Sequence, residues 1–163
     1  NLYTYSNEAS EYFYRLGMMQ DTIPVELNRK EILRRENSRS EMIIYGRLPL
    51  MITAQCIHKN TVGCMHQPKV LNLKDRYSVH FPVKNFCSEC YNVIYNSLPV
   101  CLFKEDVTVK KIAPAAVRLS FTTETEEEAE QILTIYGDIY KNGGILGQLP
   151  MECTNGHFKR GVE

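Results

Sequence analysis

The chain has 163 residues, enough to bury one sizeable core or a moderate core with a small appended module. Its 19 basic and 19 acidic residues balance, so no overall field draws the chain to nucleic acid or to anionic lipid. No apolar run approaches the roughly 18 residues that would span a membrane, and no stretch has the order of a secretion signal. We therefore expect a soluble, cytoplasmic protein with no membrane partner. The chain starts at Asn1 and enters strand-like sequence at once, so we also expect a piece of a longer protein.

The first fifty residues alternate between strand-like and helix-like segments. Strands are predicted at 1–6, 21–28 and 41–52, and helices at 7–17 and 29–38. Ser6 or Asn7 can cap the first helix, and Gly17 can end it. The alternation predicts parallel β/α units, but three units are too few to close a barrel, which takes about eight strands. We expect an open three-layer piece, or one that depends on absent neighbours, with an exposed sheet edge through which copies of the chain could pair.

Beyond Met51 the pattern becomes loop-rich and then mixed. Two short strands joined by a turn around Asp75 are predicted within 69–83, and periodicity leaves 91–98 open between strand and short helix. Further along, a helix within 102–114 stops before Pro114, a strand covers 115–124, and a helix starts from a Thr123–Glu126 capping box and ends at Gly143. The acidic run 124–130 is predicted to be a solvated helix face, and the tail after it shows no regular pattern.

Four cysteines form two close pairs in the loop-rich region. Seven residues separate Cys56 from Cys64, and two separate Cys87 from Cys90. Such pairs are typical of a four-thiolate metal site, because a Cys-x-x-Cys turn brings two thiolates to one metal and frees backbone amides to bind the sulfurs. Zinc needs four ligands at about 2.3 Å, whereas an iron-sulfur cubane takes four thiolates on a wider frame. The seven residues between Cys56 and Cys64 exceed the two to four that are usual in zinc fingers, which favours a cluster.

Two other interpretations of these cysteines stay open. Free cysteine is among the most buried residue types, so all four could be ordinary core thiols. Disulfides are uncommon in a reducing compartment, although aerobic purification can oxidise a vacated cluster site. Cys101 lies in an apolar run and is predicted to be a core thiol, while Cys153 stands alone in the tail without an assignment.

Two histidines, His58 and His66, flank the first cysteine pair. Either could replace a cysteine as a zinc ligand. A surface position in a basic loop is the stronger prediction for both.

The predicted strand ends carry a second group of candidates. In β/α units, residues at the carboxyl ends of the strands face a common mouth, where Glu26, Asn28, Tyr45, Gly46 and Arg47 would meet. Glu26 could act as an acid, a base or a metal ligand, and Arg47 could clamp an anion. The alternative is that Glu26 and Arg47 pair only to satisfy two charges.

Four stretches together carry a family resemblance. They are "ELN" at 26–28, "YGRLPLMITAQC" at 45–56, "NLKDRYSVHFPVKNFCSECYNVIYNS" at 72–97 and "GHFKRGVE" at 156–163. The chain resembles the C-terminal half of the large collagenase-like members of peptidase family U thirty-two over nearly its whole length. Members have an N-terminal β/α barrel. The resemblance implies an α/β fold in three parts: the last units of a TIM-like barrel at 1–52, a cysteine-bearing loop and hairpin module at 53–102, and an α+β extension with a tail at 103–163.

The resemblance also implies chemistry. The family is commonly described as peptidases or collagenases, while its better-understood relatives act in oxygen-independent hydroxylation of RNA bases or ubiquinone precursors and hold a four-iron cluster on four cysteines. Glu41 and Gly46 match the start of the family signature. The signature then expects a cysteine where Pro49 stands, and the first cysteine arrives only at Cys56. The predicted site is therefore Glu26, Glu41 and Arg47 as catalytic residues, and Cys56, Cys64, Cys87 and Cys90 as ligands of a four-iron cluster or zinc.

No recognisable peptidase machinery accompanies these residues. The sequence has no serine in a nucleophile elbow and no His-Glu-x-x-His pair. Two function classes follow. In the first, the whole protein is an enzyme, a peptidase or a cluster-dependent hydroxylase, and this piece, inactive alone, packs against the N-terminal barrel half and meets an RNA or protein substrate. In the second, the cysteine module is structural and braces the barrel or docks RNA. Whether the piece alone holds zinc, a cluster or nothing stays open.

Overall fold

A computed structural model describes residues 2–64, 66–144, 149 and 151–162 as a mixed α/β fold with two four-stranded sheets. The helices are α1 (Asn7–Arg15), α2 (Arg29–Arg34), α3 (Ile57–Thr61), α4 (Asp106–Ile112) and α5 (Glu126–Tyr140), with a 3-10 turn at Phe103–Glu105. The strands are β1 (Asp21–Thr22), β2 (Ser40–Gly46), β3 (Pro49–Thr53), β4 (Val70–Lys74), β5 (His80–Phe86), β6 (Tyr91–Tyr95), β7 (Val100–Cys101) and β8 (Ala116–Ser120). No described helix combines the length and apolar character that crossing a bilayer requires.

The first sheet is built around β2. On one edge β8 runs parallel to β2 along almost its whole length. On the other edge β1 pairs in parallel with the first residues of β2, and β7 pairs antiparallel with its last residues. Helices α2 and α4 pack against each other beside this sheet. The three parallel strands confirm the predicted α/β class, and the described residues form no closed barrel.

The hydrophobic core of the first sheet draws on both halves of the chain. Tyr45 and Phe103 are fully buried with their rings stacked, and Ile132 of α5 and Phe158 of the tail belong to the same cluster. The second sheet, with order β3-β6-β5-β4, is antiparallel throughout and uses only residues 49–95. The cysteine-bearing sheet is thus inserted between two segments that share one core.

The prediction of one continuous strand over 41–52 is wrong. The chain leaves the first sheet after Gly46 and starts β3 in the second sheet at Pro49. Gly46 has φ +144°, and a Cβ there would lie 2.5 Å from the Ser120 carbonyl oxygen, so the turn depends on glycine. The strand predicted at 1–6 is only an isolated β-bridge at Tyr3. The strand predicted at 21–28 is limited to the two residues of β1.

Predictions made from short-range sequence patterns were correct at several other places. Ser6 caps α1 and the β4–β5 hairpin turns at Asp75, whose carboxylate accepts from the Tyr77 and Val79 N–H groups at 2.8 and 2.9 Å. Segment 91–98, for which the sequence allowed either a strand or a short helix, contains strand β6. The capping box of α5 is Thr125 with Glu128, two residues later than predicted.

The later start of α5 has a local cause at Glu124. The Glu124 carboxylate accepts from the N–H groups of Thr122 and Thr123 at 2.6 and 3.0 Å, which fixes a turn before the helix. Glu124 also accepts from the Tyr45 hydroxyl at 3.2 Å and is half-buried. Its predicted place on a solvated helix face is therefore wrong.

A buried ion pair joins the elements at the start of the first sheet. The Arg35 and Asp21 side chains are 3% and 0% exposed and are in direct contact. Polar groups on neighbouring elements complete the network: Thr4, Ser10, Tyr14, Asn37 and Ser40. The network ties α1, β1, α2 and β2 together at the amino ends of the parallel strands.

Candidate metal centre

The four cysteines of the two close pairs surround one cavity of about 430 Å³. Cys56, Cys64, Cys87 and Cys90 all line it, as does His66. All four are free thiols, and they come from three separate stretches of chain. The fold therefore brings together the residues that spacing alone had grouped.

Each cysteine has a defined backbone position. Cys56 precedes α3 and caps it, with the Lys59 N–H 3.5 Å from its sulfur, and Cys64 follows the same helix after a turn at Gly63. Cys87 and Cys90 are the first and last residues of the four-residue turn that joins β5 to β6. Cys90 has φ +56°, a left-handed backbone conformation that is uncommon for residues other than glycine.

Stacked aromatic rings support the turn that carries Cys87 and Cys90. Phe86 and Tyr91 are directly paired across the two strands, and their rings are parallel with centroids 4.7 Å apart. Such a pair stabilises the strand ends from which the turn projects. The Cys-x-x-Cys motif thus rests on a rigid base.

Two buried asparagines form hydrogen bonds to the chain segments that lie next to the cavity. Asn85 of β5 and Asn92 of β6 face each other across the sheet and are 3% and 0% exposed. The Asn92 side chain donates to the Gln55 carbonyl at 3.0 Å, next to Cys56. The Asn85 side chain accepts from the Lys69 N–H and donates to the Cys87 sulfur at 3.3 Å. Each asparagine therefore fixes a different segment at the cavity.

The cysteine side chains around the cavity affect the ionisation of Cys87. Burial, followed by the negative charges that Cys56, Cys64 and Cys90 would carry as thiolates, raises the pKa of Cys87. Cys87 as a neutral thiol donates to the Gln67 carbonyl at 3.0 Å. A metal ion or cluster bound at this cavity would favour the thiolate form of Cys87.

The sulfurs line the walls of the cavity and do not converge on one point. Among the described residues, no three or more His, Cys, Asp or Glu side chains are close enough to hold a single ion in the positions shown. A lone zinc ion needs four sulfurs at about 2.3 Å. A four-iron cluster binds each thiolate at a different iron and spreads the four sulfurs over a larger frame. The four thiols therefore share a cavity, but in the positions shown they form no single-ion site among the described residues.

The two histidines next to the first cysteine pair differ in solvent exposure. His58 is buried, 8% exposed, and its Nδ1–H donates to the Gly63 carbonyl at 2.9 Å, so its predicted surface position is wrong. This bond braces the loop between Cys56 and Cys64. His66 is exposed, as predicted, and lines the cavity.

The three predicted catalytic residues have separate environments. Glu41 lies at the start of β2 and forms an ion pair with Arg118. Arg47 follows the other end of β2, about 20 Å away at the usual strand rise, and its guanidinium donates to the Asn96 carbonyl at 3.1 Å and to the Ser97 carbonyl. Glu41 and Arg47 therefore do not share a site.

Glu26 contacts a tyrosine and not Arg47. It is exposed in the turn before α2, and its carboxylate lies beside the Tyr5 hydroxyl. Partial burial, and then this carboxylate, raise the pKa of Tyr5. Asn28, predicted beside Glu26 at the mouth, caps α2.

Sequence reasoning missed the two asparagines. Their signal is an amide at an inward-facing strand position, in "VKNF" of β5 and "YNVIY" of β6. Buried amides need hydrogen-bond partners, so such positions point to a structured neighbour. The prediction that Cys101 is a core thiol is confirmed.

Comparison of the chain with models of known families, with curated proteins and with solved structures gave no match.

Proposed function

We propose that this chain is the cluster-binding part of an iron-sulfur enzyme, in which Cys56, Cys64, Cys87 and Cys90 hold a four-iron cluster. The observation that carries the proposal is the meeting of these four thiols at one cavity. The two remaining cysteines of the chain line a different cavity. If the six cysteines were ordinary core thiols, nothing would lead us to expect four of them at one cavity and two at another.

The residues present fit the cluster in donor type and number. Four thiolates are the usual ligand set of a four-iron cluster, which supplies one-electron transfer when bound. The Lys59 N–H and the Asn85 amide point at two of the sulfurs and would stabilise their negative charge. Hydrogen bonds to ligating sulfurs adjust the reduction potential, so these two groups are positioned to tune it.

The resemblance to family U thirty-two gives the reaction class that we favour. Its cluster-containing relatives carry out oxygen-independent hydroxylation of RNA bases or quinone precursors, and the presence of four thiols at one cavity is the observation that favours this branch. A peptidase role has less support, because Glu41 and Arg47 lie at opposite ends of β2 and Glu26 is engaged with Tyr5. The proposed enzyme therefore uses redox chemistry and not peptide hydrolysis.

Anaerobic purification of the whole protein, followed by visible absorption and electron paramagnetic resonance after reduction, tests this proposal. We expect a brown protein whose cluster signals disappear in Cys64→Ser and Cys87→Ser. Cys153→Ser is the matched control, because Cys153 is also a half-buried free thiol but lies outside the cavity, and it should keep the signals. A colourless protein with one tightly bound zinc would refute the cluster and support a structural zinc module.

A further inference from the structure

A second pair of thiols lies where β7 meets the C-terminal segment. Cys101 ends β7 and is 4% exposed, and Cys153 packs against the same core. Both line an open cavity of about 600 Å³ that is separate from the one surrounded by the other four cysteines. Neither thiol has a part in the proposed cluster site.

Main-chain pairing sets the two cysteines beside each other. Thr154 forms a parallel bridge with Val100, and its N–H donates to the Pro99 carbonyl at 2.9 Å. The Cys101 N–H in turn donates to the Thr154 carbonyl at 2.8 Å. Because side chains alternate along extended chain, Cys101 and Cys153 point to the same face of this pairing, as diagonal neighbours.

The proximity of the two side chains affects the ionisation of both thiols. A hydrogen bond from Cys153 lowers the pKa of Cys101 in spite of its burial, and the Lys104 charge acts in the same direction. The same hydrogen bond, followed by burial, raises the pKa of Cys153. One sulfur of the pair is therefore the easier to ionise, and a thiolate is the nucleophile in disulfide exchange.

We propose that Cys101 and Cys153 form a reversible disulfide that ties the C-terminal segment to β7. The oxidant is a low-molecular-weight disulfide that enters the open cavity. One protein thiolate attacks a sulfur of this disulfide, forms a mixed disulfide and releases one small thiol. The second protein sulfur loses its proton, attacks the mixed disulfide and releases the second small thiol. Two protein thiols thus lose two protons and two electrons, and the small disulfide gains them.

A metal ion at this pair has less support than a disulfide. Structural zinc takes four ligands, and among the described residues no third His, Cys, Asp or Glu side chain joins the two thiols closely enough to hold an ion. A disulfide needs only the two sulfurs. Its formation would fix a segment that already reaches two distant points: the Tyr45 hydroxyl donates to the Met151 sulfur at 3.4 Å, and the Phe158 carbonyl accepts from the Arg29 N–H at 2.8 Å.

Peptide mapping under non-reducing conditions tests the disulfide directly. The purified protein is equilibrated with glutathione buffers of increasing oxidised fraction, quenched in acid, alkylated and digested. Cleavage at basic residues alone leaves Cys87, Cys90 and Cys101 on one peptide, 85–104, so a second protease that cuts after tyrosine must separate Cys101 from the other two. We expect a linked peptide pair that joins Cys101 to Cys153, grows with the oxidised fraction and disappears on reduction.

Thermal melting of the same samples supplies an independent readout. Oxidised wild type should melt roughly 5–15 °C above the reduced protein, because the bond closes a long loop. Cys153→Ala should remove both the linked peptide and this rise, while its reduced form melts close to reduced wild type. The proposal is overturned if Cys101 is linked to Cys87 or Cys90, if Cys153 carries only glutathione at the most oxidising ratio, or if the rise persists in Cys153→Ala.

Discussion

At the scale of single residues, the two buried asparagines are the least expected feature of the cysteine site. Asn85 and Asn92 occupy positions where an apolar side chain would suit the sheet, yet each bonds to a segment that carries or adjoins a cysteine. The Asn92 Oδ1 atom is buried without a hydrogen-bond partner in the structure. An unpaired buried acceptor is costly, so its retention is consistent with a role at the site.

Replacement of Asn85 by leucine, whose side chain has the same branched shape without the polar atoms, should weaken metal binding by about 10–100-fold. The variant loses the amide that points at the Cys87 sulfur and the hydrogen bond that holds Lys69. Iron content after reconstitution at limiting iron measures the effect. Asn72→Leu, an exposed substitution on β4 of the same sheet, should bind iron like wild type. Equal iron content in Asn85→Leu and Asn72→Leu would remove Asn85 from the site.

Replacement of Asp21 by asparagine should lower the free energy of unfolding by about 3–5 kcal/mol, because it leaves the buried Arg35 charge without its partner. Urea unfolding of the two proteins measures the difference. Asp106→Asn is the control, since Asp106 pairs with Lys110 at the surface and should cost less than about 1 kcal/mol. If both variants cost the same, the buried network does not stabilise the fold as described.

The same carboxylate predicts a pH dependence of stability. Burial opposes ionisation of Asp21, but hydrogen bonds from Ser40, Thr4 and Tyr14 and the Arg35 charge outweigh it and lower the pKa. The unfolded chain therefore takes up the proton first. The Asp21 contribution to stability is complete above about pH 4, the ordinary carboxyl range, and is lost as the pH falls through the lowered pKa of the folded state. Unfolding measured from pH 7 to pH 2 should show this loss in wild type and not in Asp21→Asn.

At the scale of elements, the break between β2 and β3 decides how the two sheets are connected. Gly46 approaches Ser120 of β8 too closely for any side chain, and Arg47 then binds two carbonyls just beyond β6. These contacts turn the chain from the first sheet to the second. The cavity depends on this turn, because β3 leads directly to Cys56.

A matched pair of glycine substitutions tests the break. Gly46→Ala should destabilise the protein by at least about 1–3 kcal/mol, because it strains a residue at φ +144° and forces the Ser120 backbone to move. Gly137→Ala should stabilise it by about 0.5–1 kcal/mol, since Gly137 lies within α5 with open space around it. Chemical denaturation of both variants provides the comparison. A neutral Gly46→Ala variant would contradict the close approach of β8.

Elements set by neighbouring residues were predictable, and those set by distant contacts were not. The Ser6 cap of α1, the Asp75 turn and the end of α4 before Pro114 are local, and all three were found near their predicted places. The break at Gly46 depends on β8, more than seventy residues away, and Glu124 is held before α5 in part by the Tyr45 hydroxyl, which is 79 residues away in sequence. The cysteine pairs could be predicted because their spacing is itself local. The asparagines could not, since their partners are fixed only by sheet pairing.

At the scale of the whole molecule, one core is shared by two segments and the cysteine-bearing sheet is inserted between them. Residues within 23–48 and 100–158 contribute to the same hydrophobic cluster, whereas the second sheet lies within 49–95. The predicted boundaries at 52 and 102 stay predictions, as do the barrel half, an RNA or protein partner and pairing of copies through a sheet edge. On β3 the side chains of Leu50, Met51 and Ile52 are all more than half exposed.

Iron, zinc and acid-labile sulfide per chain in the anaerobically purified whole protein test the central claim most directly. The four-thiol cavity predicts about four irons and four sulfides per chain, and little zinc. The content should fall to near zero in Cys87→Ser and stay at the wild-type level in Cys153→Ser. One zinc per chain without sulfide, or a wild-type iron content in Cys87→Ser, would contradict the claim that these four cysteines hold one iron-sulfur cluster.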